Sequence, residues 1–152
     1  MGSAWSVRVA VGALAIVAAG CFQPVGPART FHDYELKAES TAKSARSSVE
    51  TARLAVQVAT DGDAFPPYVS VLLAEAESDA SNSQGTFLGI QPPDKHSDRL
   101  RDRLGRLLEQ TGNVLSTLRI TARRADLQQL KGQAARLPAL SKRLDRFATE
   151  HE

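Results

Sequence analysis

The sequence predicts an all-α fold: an antiparallel four-helix bundle over residues 31–152, preceded by a cleaved signal peptide (1–20) and a short tether (21–30). Three observations predict it. Apolar residues recur at steps of three and four through nearly every window beyond residue 31, the spacing that holds one face of a helix against a partner. Clusters of glycine, proline and short polar residues cut that pattern into segments. The 132 residues that follow residue 20 suffice for one modest core and leave no room for a second domain.

The first helix follows Phe31. Its seam runs Ala38, Ala42, Ala45, Val49, Ala52, Val56 and Ala59, alternating steps of four and three, and its knobs are mostly alanine. Such small side chains let two helix axes approach closely and leave little space for an internal ligand. Asp61, Gly62 and Asp63 end the helix, with Gly62 free to turn left-handed. Pro66 and Pro67 restart it, since proline suits a first helical turn. Val69, Leu72, Leu73, Ala76 and Ala80 then mark the buried face of the second helix.

The run Ser81, Asn82, Ser83, Gln84, Gly85 weakens the pattern, and Gly89 with Pro92 and Pro93 follows, so a loop is expected over 84–96. Phe87, Leu88 and Ile90 are its candidate exposed residues. In the third helix Leu100, Leu104, Leu107, Thr111, Val114 and Leu118 keep the four-three spacing, and Leu108 and Leu115 widen the stripe. Ser97 is the expected N-cap. Gly105 and Gly112 each cost about 1 kcal/mol of helix propensity, which implies a close approach beside them. Asp126 with Gln129 has the capping-box spacing of a fourth helix, whose face is Leu127, Leu130, Ala134, Leu137, Leu140, Leu144 and Phe147. Pro138 removes a backbone hydrogen bond inside it and predicts a kink over 134–137.

At the other end of the chain, Arg8 precedes an unbroken apolar run over 9–19, closed by small residues and Gly20 ahead of Cys21. The run over 9–22 has 14 residues, against the roughly 20 a membrane-spanning helix needs, so it reads as a secretory signal segment. Phe22 to Thr30 contains two prolines and a glycine without periodicity and reads as a tether. Ala18, Ala19, Gly20 and Cys21 resemble the lipobox of bacterial lipoproteins. That resemblance implies cleavage between Gly20 and Cys21, a covalent diacylglycerol on Cys21 in place of any other cofactor, and an extracytoplasmic domain anchored to the cell membrane by lipid. Cys21 is the only cysteine of the chain, so no internal disulfide forms. The 14 arginines against 5 lysines and the 23 alanines suit a GC-rich genome, and the whole resembles helical lipoproteins of high-GC Gram-positive bacteria.

A formal charge of +2 is no nucleic-acid footprint. It is uneven, however: residues 21–96 carry 6 basic and 10 acidic side chains, and residues 97–152 carry 12 and 7. Attraction between neighbouring helices is the simplest use of that asymmetry. The basic candidates for contact with anionic headgroups or wall polymers are Arg99, Arg103, Arg106, Arg123 and Arg124, along a helix that also carries Arg101 and Arg119. Catalytic and metal-binding readings have little to stand on. His32, His96 and His151 are scattered, Asp61, Gly62 and Asp63 lack the rest of a calcium loop, and nucleotide-binding glycine motifs are missing. The expectation is a non-enzymatic binding or accessory module of the cell envelope, with a membrane, an envelope protein or an anionic polymer as partner. The alternative is a structural element that self-associates as a homo-oligomer through the alanine seam or the stripe of Gly105, Leu108, Gly112 and Leu115.

Overall fold

The computed structural model describes residues 26–151; Gly20, Cys21 and the signal segment lie outside them. The chain is all-helical, in the order α1 (Phe31–Asp61), α2 (Pro66–Leu88), α3 (Lys95–Arg123), α4 (Leu127–Ala134) and α5 (Leu137–Glu150). These form the four antiparallel arms of a bundle, the fourth being α4 and α5 joined at a break. Described residues include no helix long and apolar enough to cross a membrane.

Each arm starts and stops for a local reason. Thr30 and Asp33 form a reciprocal capping box at the head of α1, with Asp33 N–H donating to Thr30 Oγ1 at 3.0 Å and Thr30 N–H to Asp33 Oδ2 at 3.2 Å. The hydrogen bond from the Thr30 side chain and the two backbone donors hold the Asp33 carboxyl below its ordinary pKa. Gly62, at φ +81°, closes α1 in the left-handed conformation expected of it. Asp126 caps α4 by accepting from Gln129 N–H at 2.9 Å, as its spacing predicts. The turn before it needs Ala125 at φ +54°, an uncommon conformation for a residue with a side chain.

Three local expectations need correction. The α3 cap is Asp94, which accepts from Ser97 N–H at 2.8 Å and from Ser97 Oγ at 3.0 Å. Ser97 is therefore buried inside the first turn, because the Asp94 carboxylate three residues upstream accepts from Ser97's own N–H and starts the helix at Lys95. The loop expected over 84–96 is much shorter, since α2 continues through Ser81, Asn82 and Gly85 to Leu88. Phe87 is fully buried against Tyr34, ring centroids 5.3 Å apart, and Ile90 is buried too, so apolar burial outweighs the poor propensity of that stretch. Finally, the fourth helix does not merely kink: it breaks at Ala135 and Arg136, and Pro138 falls in the first turn of α5, where its missing N–H costs nothing.

Packing centres on α1, which lies against α2, α3 and the fourth arm, while α2 packs on α1 and α3. Contact across the diagonal from α1 to α3 is what the alanine face permits: Ala38, Ala42, Ala45 and Ala52 are fully buried with Val49. Leucines from the other arms fill the remaining space, among them Leu73, Leu104, Leu115, Leu118, Leu137 and Leu144. The Gly-Leu stripe of α3 is also used within the chain. A methyl on Gly105 would stand 3.7 Å from Leu88 Cδ2, and one on Gly112 4.0 Å from Gln84 Oε1, so the approach is ordinary van der Waals contact and leaves room for alanine.

Opposite charges do join neighbouring arms. Arg119 of α3 grips Glu77 of α2 in a half-buried pair that raises the guanidinium pKa, through hydrogen bonding first and charge second. Arg46 of α1 pairs with Asp145 of α5 at 2.7 Å. Glu50 of α1 accepts from Ser141 Oγ of α5 at 2.6 Å and from Arg53 at 2.7 Å, and these bonds, the serine's foremost, hold its carboxyl below the usual glutamate range.

Two predictions follow from this packing. Ala45→Leu overfills the seam and is expected to lower the unfolding free energy by about 1–3 kcal/mol, whereas Gly112→Ala is expected to raise it by about 0.4–1 kcal/mol; urea denaturation measures both. Because the Glu50 pKa is depressed on folding, its contribution is present above the unfolded value of about 4.3 and lost as pH falls through the folded value. Glu50→Gln is expected to cost about 0.5–1 kcal/mol at pH 7, and the gap to wild type should narrow progressively as pH falls below about 4.3.

Candidate functional site

The fourth arm leaves α3 as it runs. The α4 segment packs on α3, but α5 touches it at few points, and a groove opens between α3 and α5. Its floor is Leu107 and Phe147. Its walls are Arg103 and Arg106 from α3 and Arg143 and Arg146 from α5, with Glu150 at one end, around a volume of about 330 Å³. Each arginine pair is spaced three apart on its helix, which places both members on one side. A second hollow of about 360 Å³ continues past Arg106 toward Gln110, Gln133 and Arg136.

The four guanidinium groups differ in what already holds them. Arg103 donates to Glu150 Oε2 at 2.8 Å and stands 5.5 Å over the Phe147 ring, an exposed ion pair reinforced by a cation–π contact. Arg143 donates to Gln110 Oε1. Arg106 and Arg146 are exposed and have neither an ion pair nor a side-chain hydrogen bond among the described residues. Four positive groups around one groove against a single Glu150 leave a net field that attracts anions, and guanidinium forks match carboxylate and phosphate geometry.

The arginines singled out by sequence do not form one cluster. Arg103 and Arg106 enter the groove. Arg99 stands apart, its Nη2 2.9 Å from His96 Nδ1. Arg123 and Arg124 lie at the far end of α3, 17 residues or ~26 Å along the axis from Arg106. Arg101 is engaged with the Leu88 carbonyl and Arg119 with Glu77, so neither is available. Sequence reasoning missed Arg143 and Arg146. Their signal was present in the helical phase, because both flank Leu144 and Phe147 on the apolar face of the fourth helix.

The histidines and carboxylates gather elsewhere and singly. Described residues include no group of three or more histidine, cysteine, aspartate or glutamate side chains placed to hold a metal ion. Near His32, Asp33 is used in the cap and Glu39 pairs with Lys43 at 2.6 Å, while Glu35 meets His151 Nδ1 at 2.9 Å. Tyr34 Oη and His151 Nε2 are buried without a hydrogen-bond partner among the described residues, and burial raises the Tyr34 pKa.

The groove lies toward the end of the bundle from which the tether leaves. Residue 26 sits beside the start of α1, next to Thr86 and Ile90 at the α2–α3 connection, and Ala28 is packed into that end of the core. No protein-family model matches the chain, and no curated protein or solved structure matches it.

Proposed function

We propose that this chain is a lipid-tethered, non-enzymatic binding module of the cell envelope, which presents the α3–α5 arginine groove to an anionic partner. The observation that carries the reading is the convergence of Arg103, Arg106, Arg143 and Arg146 from two arms, with Arg106 and Arg146 in no ion pair among the described residues. Glu150 compensates Arg103 alone among them, so the exposed guanidinium groups of Arg106 and Arg146 leave the groove attractive to an anion that joins them. The lipobox-like Ala18, Ala19, Gly20 and Cys21 supply the anchor in this reading, and two or more acyl chains give stable membrane attachment. Capped by Thr30, the domain begins nine residues after Cys21, which keeps the groove close to the headgroup layer and raises its effective concentration there. Anionic headgroups and envelope polymers are the partners that fit the groove.

Two measurements test this. Intact mass and detergent phase partitioning of the native protein are expected to give a chain beginning at Cys21 with a diacylglyceryl addition, and Cys21→Ala is expected to abolish both; an unmodified chain cleaved elsewhere removes the anchor. For the groove, the R106Q/R146Q double variant is expected to weaken binding to phosphatidylglycerol vesicles or to soluble polyphosphate by roughly 30-fold, at about 1 kcal/mol per basic residue. The R123Q/R124Q variant, with the same charge change at the other end of α3, is expected to bind within about threefold of wild type. Equal losses in the two would reduce the groove to general electrostatics.

A further inference from the structure

The end of the bundle farthest from the tether carries an apolar surface that the arginine groove does not explain. There the turn between α1 and α2 holds Phe65 with 84% of its surface exposed, followed by Tyr68 at 56%, and Leu127 at the head of α4 is 48% exposed. A domain with so few aromatic residues places two of them in solvent at one tip. Beside them lies an apolar pocket of about 170 Å³, lined by Ala59, Ala64, Val69, Ala122, Ala125 and Leu130. Ala125, in its left-handed conformation, contributes to that lining. A comparable cavity of about 150 Å³ lined by apolar side chains accepts benzene, so the pocket has the size for a phenyl ring.

Charge surrounds this patch in two signs. Asp61 and Asp63 flank Gly62 on one side, and Arg123 and Arg124 end α3 on another; all four are exposed, and none is ion-paired among the described residues. A surface that bears a knob, a matching hole, an acidic edge and a basic edge, none satisfied among the described residues, has the parts that pairing across a two-fold axis requires. The chain's own N-terminal lipid cannot cover it. Residues 21–25 span at most ~17 Å, whereas α1, 31 residues long, places the tip ~46 Å from the end where they attach.

We infer that the tether-distal tip is a homodimer interface, in which Phe65 of each copy enters the pocket of the other while Asp61 and Asp63 meet the partner's Arg123 and Arg124. Parallel attachment to one membrane holds two copies with their tips at equal height, which favours this pairing over a free encounter. The alanine seam takes no part, being buried in the chain, nor do Leu108 and Leu115 of the Gly-Leu stripe, which are buried as well.

Sedimentation equilibrium of the full chain in density-matched detergent, with reductant so that any unacylated Cys21 forms no disulfide, tests the pairing. Wild type is expected to dimerise, and Phe65→Ser to raise the dimer Kd at least about 30-fold, the effect of losing a central aromatic anchor, with helical content unchanged by circular dichroism. The charge-reversed chains D61R/D63R and R123D/R124D are each expected to be monomeric alone and to dimerise when mixed, because mixing restores opposite charges on both edges. Rescue of that kind requires a second copy. A wild-type chain monomeric at every concentration would leave the tip to some other protein and overturn the inference. So would a dimer indifferent to Phe65, or mixed variants that stay monomeric.

Discussion

α1 is the helix on which all other arms converge, and it can hold that position because the middle of its buried face is mostly alanine. Four fully buried alanines, Ala38, Ala42, Ala45 and Ala52, allow α3 to reach it across the diagonal of the bundle while α2 and α5 flank it. Close axes require that the interdigitating bulk come from the partners, and the leucines of α3 and α5 provide it. This division between a thin central helix and leucine-rich outer arms explains why a domain with one modest core packs without a disulfide.

The same geometry decides where surfaces open. Because α1 draws α3 inward, the fourth arm meets α3 closely only along α4, and the break at Ala135 and Arg136 sends α5 toward α1 instead. The bonds from Arg46 to Asp145 and from Ser141 to Glu50 fasten α5 to α1 on that side. What remains between α3 and α5 is a groove walled by four arginines, a third of the basic side chains of residues 97–152.

Function, in this reading, divides along the long axis of the bundle. The tether end carries the arginine groove, within reach of the headgroups to which a lipid on Cys21 would bring it. The distal end carries Phe65, Tyr68 and the apolar pocket, held away from the membrane by the length of α1. Attachment, anion contact and self-association then use separate surfaces and do not compete.

The sequence alone determined the all-helical class, the position of each arm's apolar face apart from Leu127, which stands exposed at the head of α4, the left-handed stop at Gly62 and the Asp126 cap, because those depend on spacing and on residues within one helical turn. It misjudged the end of α2, where a stretch of poor helix formers is carried by the burial of Phe87 against Tyr34, an energy that only a distant residue supplies. It placed the α3 cap at Ser97 because Asp94 and Ser97 are both capping residue types, each able to start a helix at its own position, and the bond from Ser97 N–H to Asp94 starts it at the earlier one. Only the tertiary structure could pair Arg103 and Arg106 with Arg143 and Arg146, and separate them from Arg123 and Arg124. Charges some forty residues apart come together when two arms splay, and charges on one helix part when the helix is long. The tip was equally hidden, since a lone Phe65 between breakers becomes informative only when its side chain is seen in solvent beside a hole of its own size.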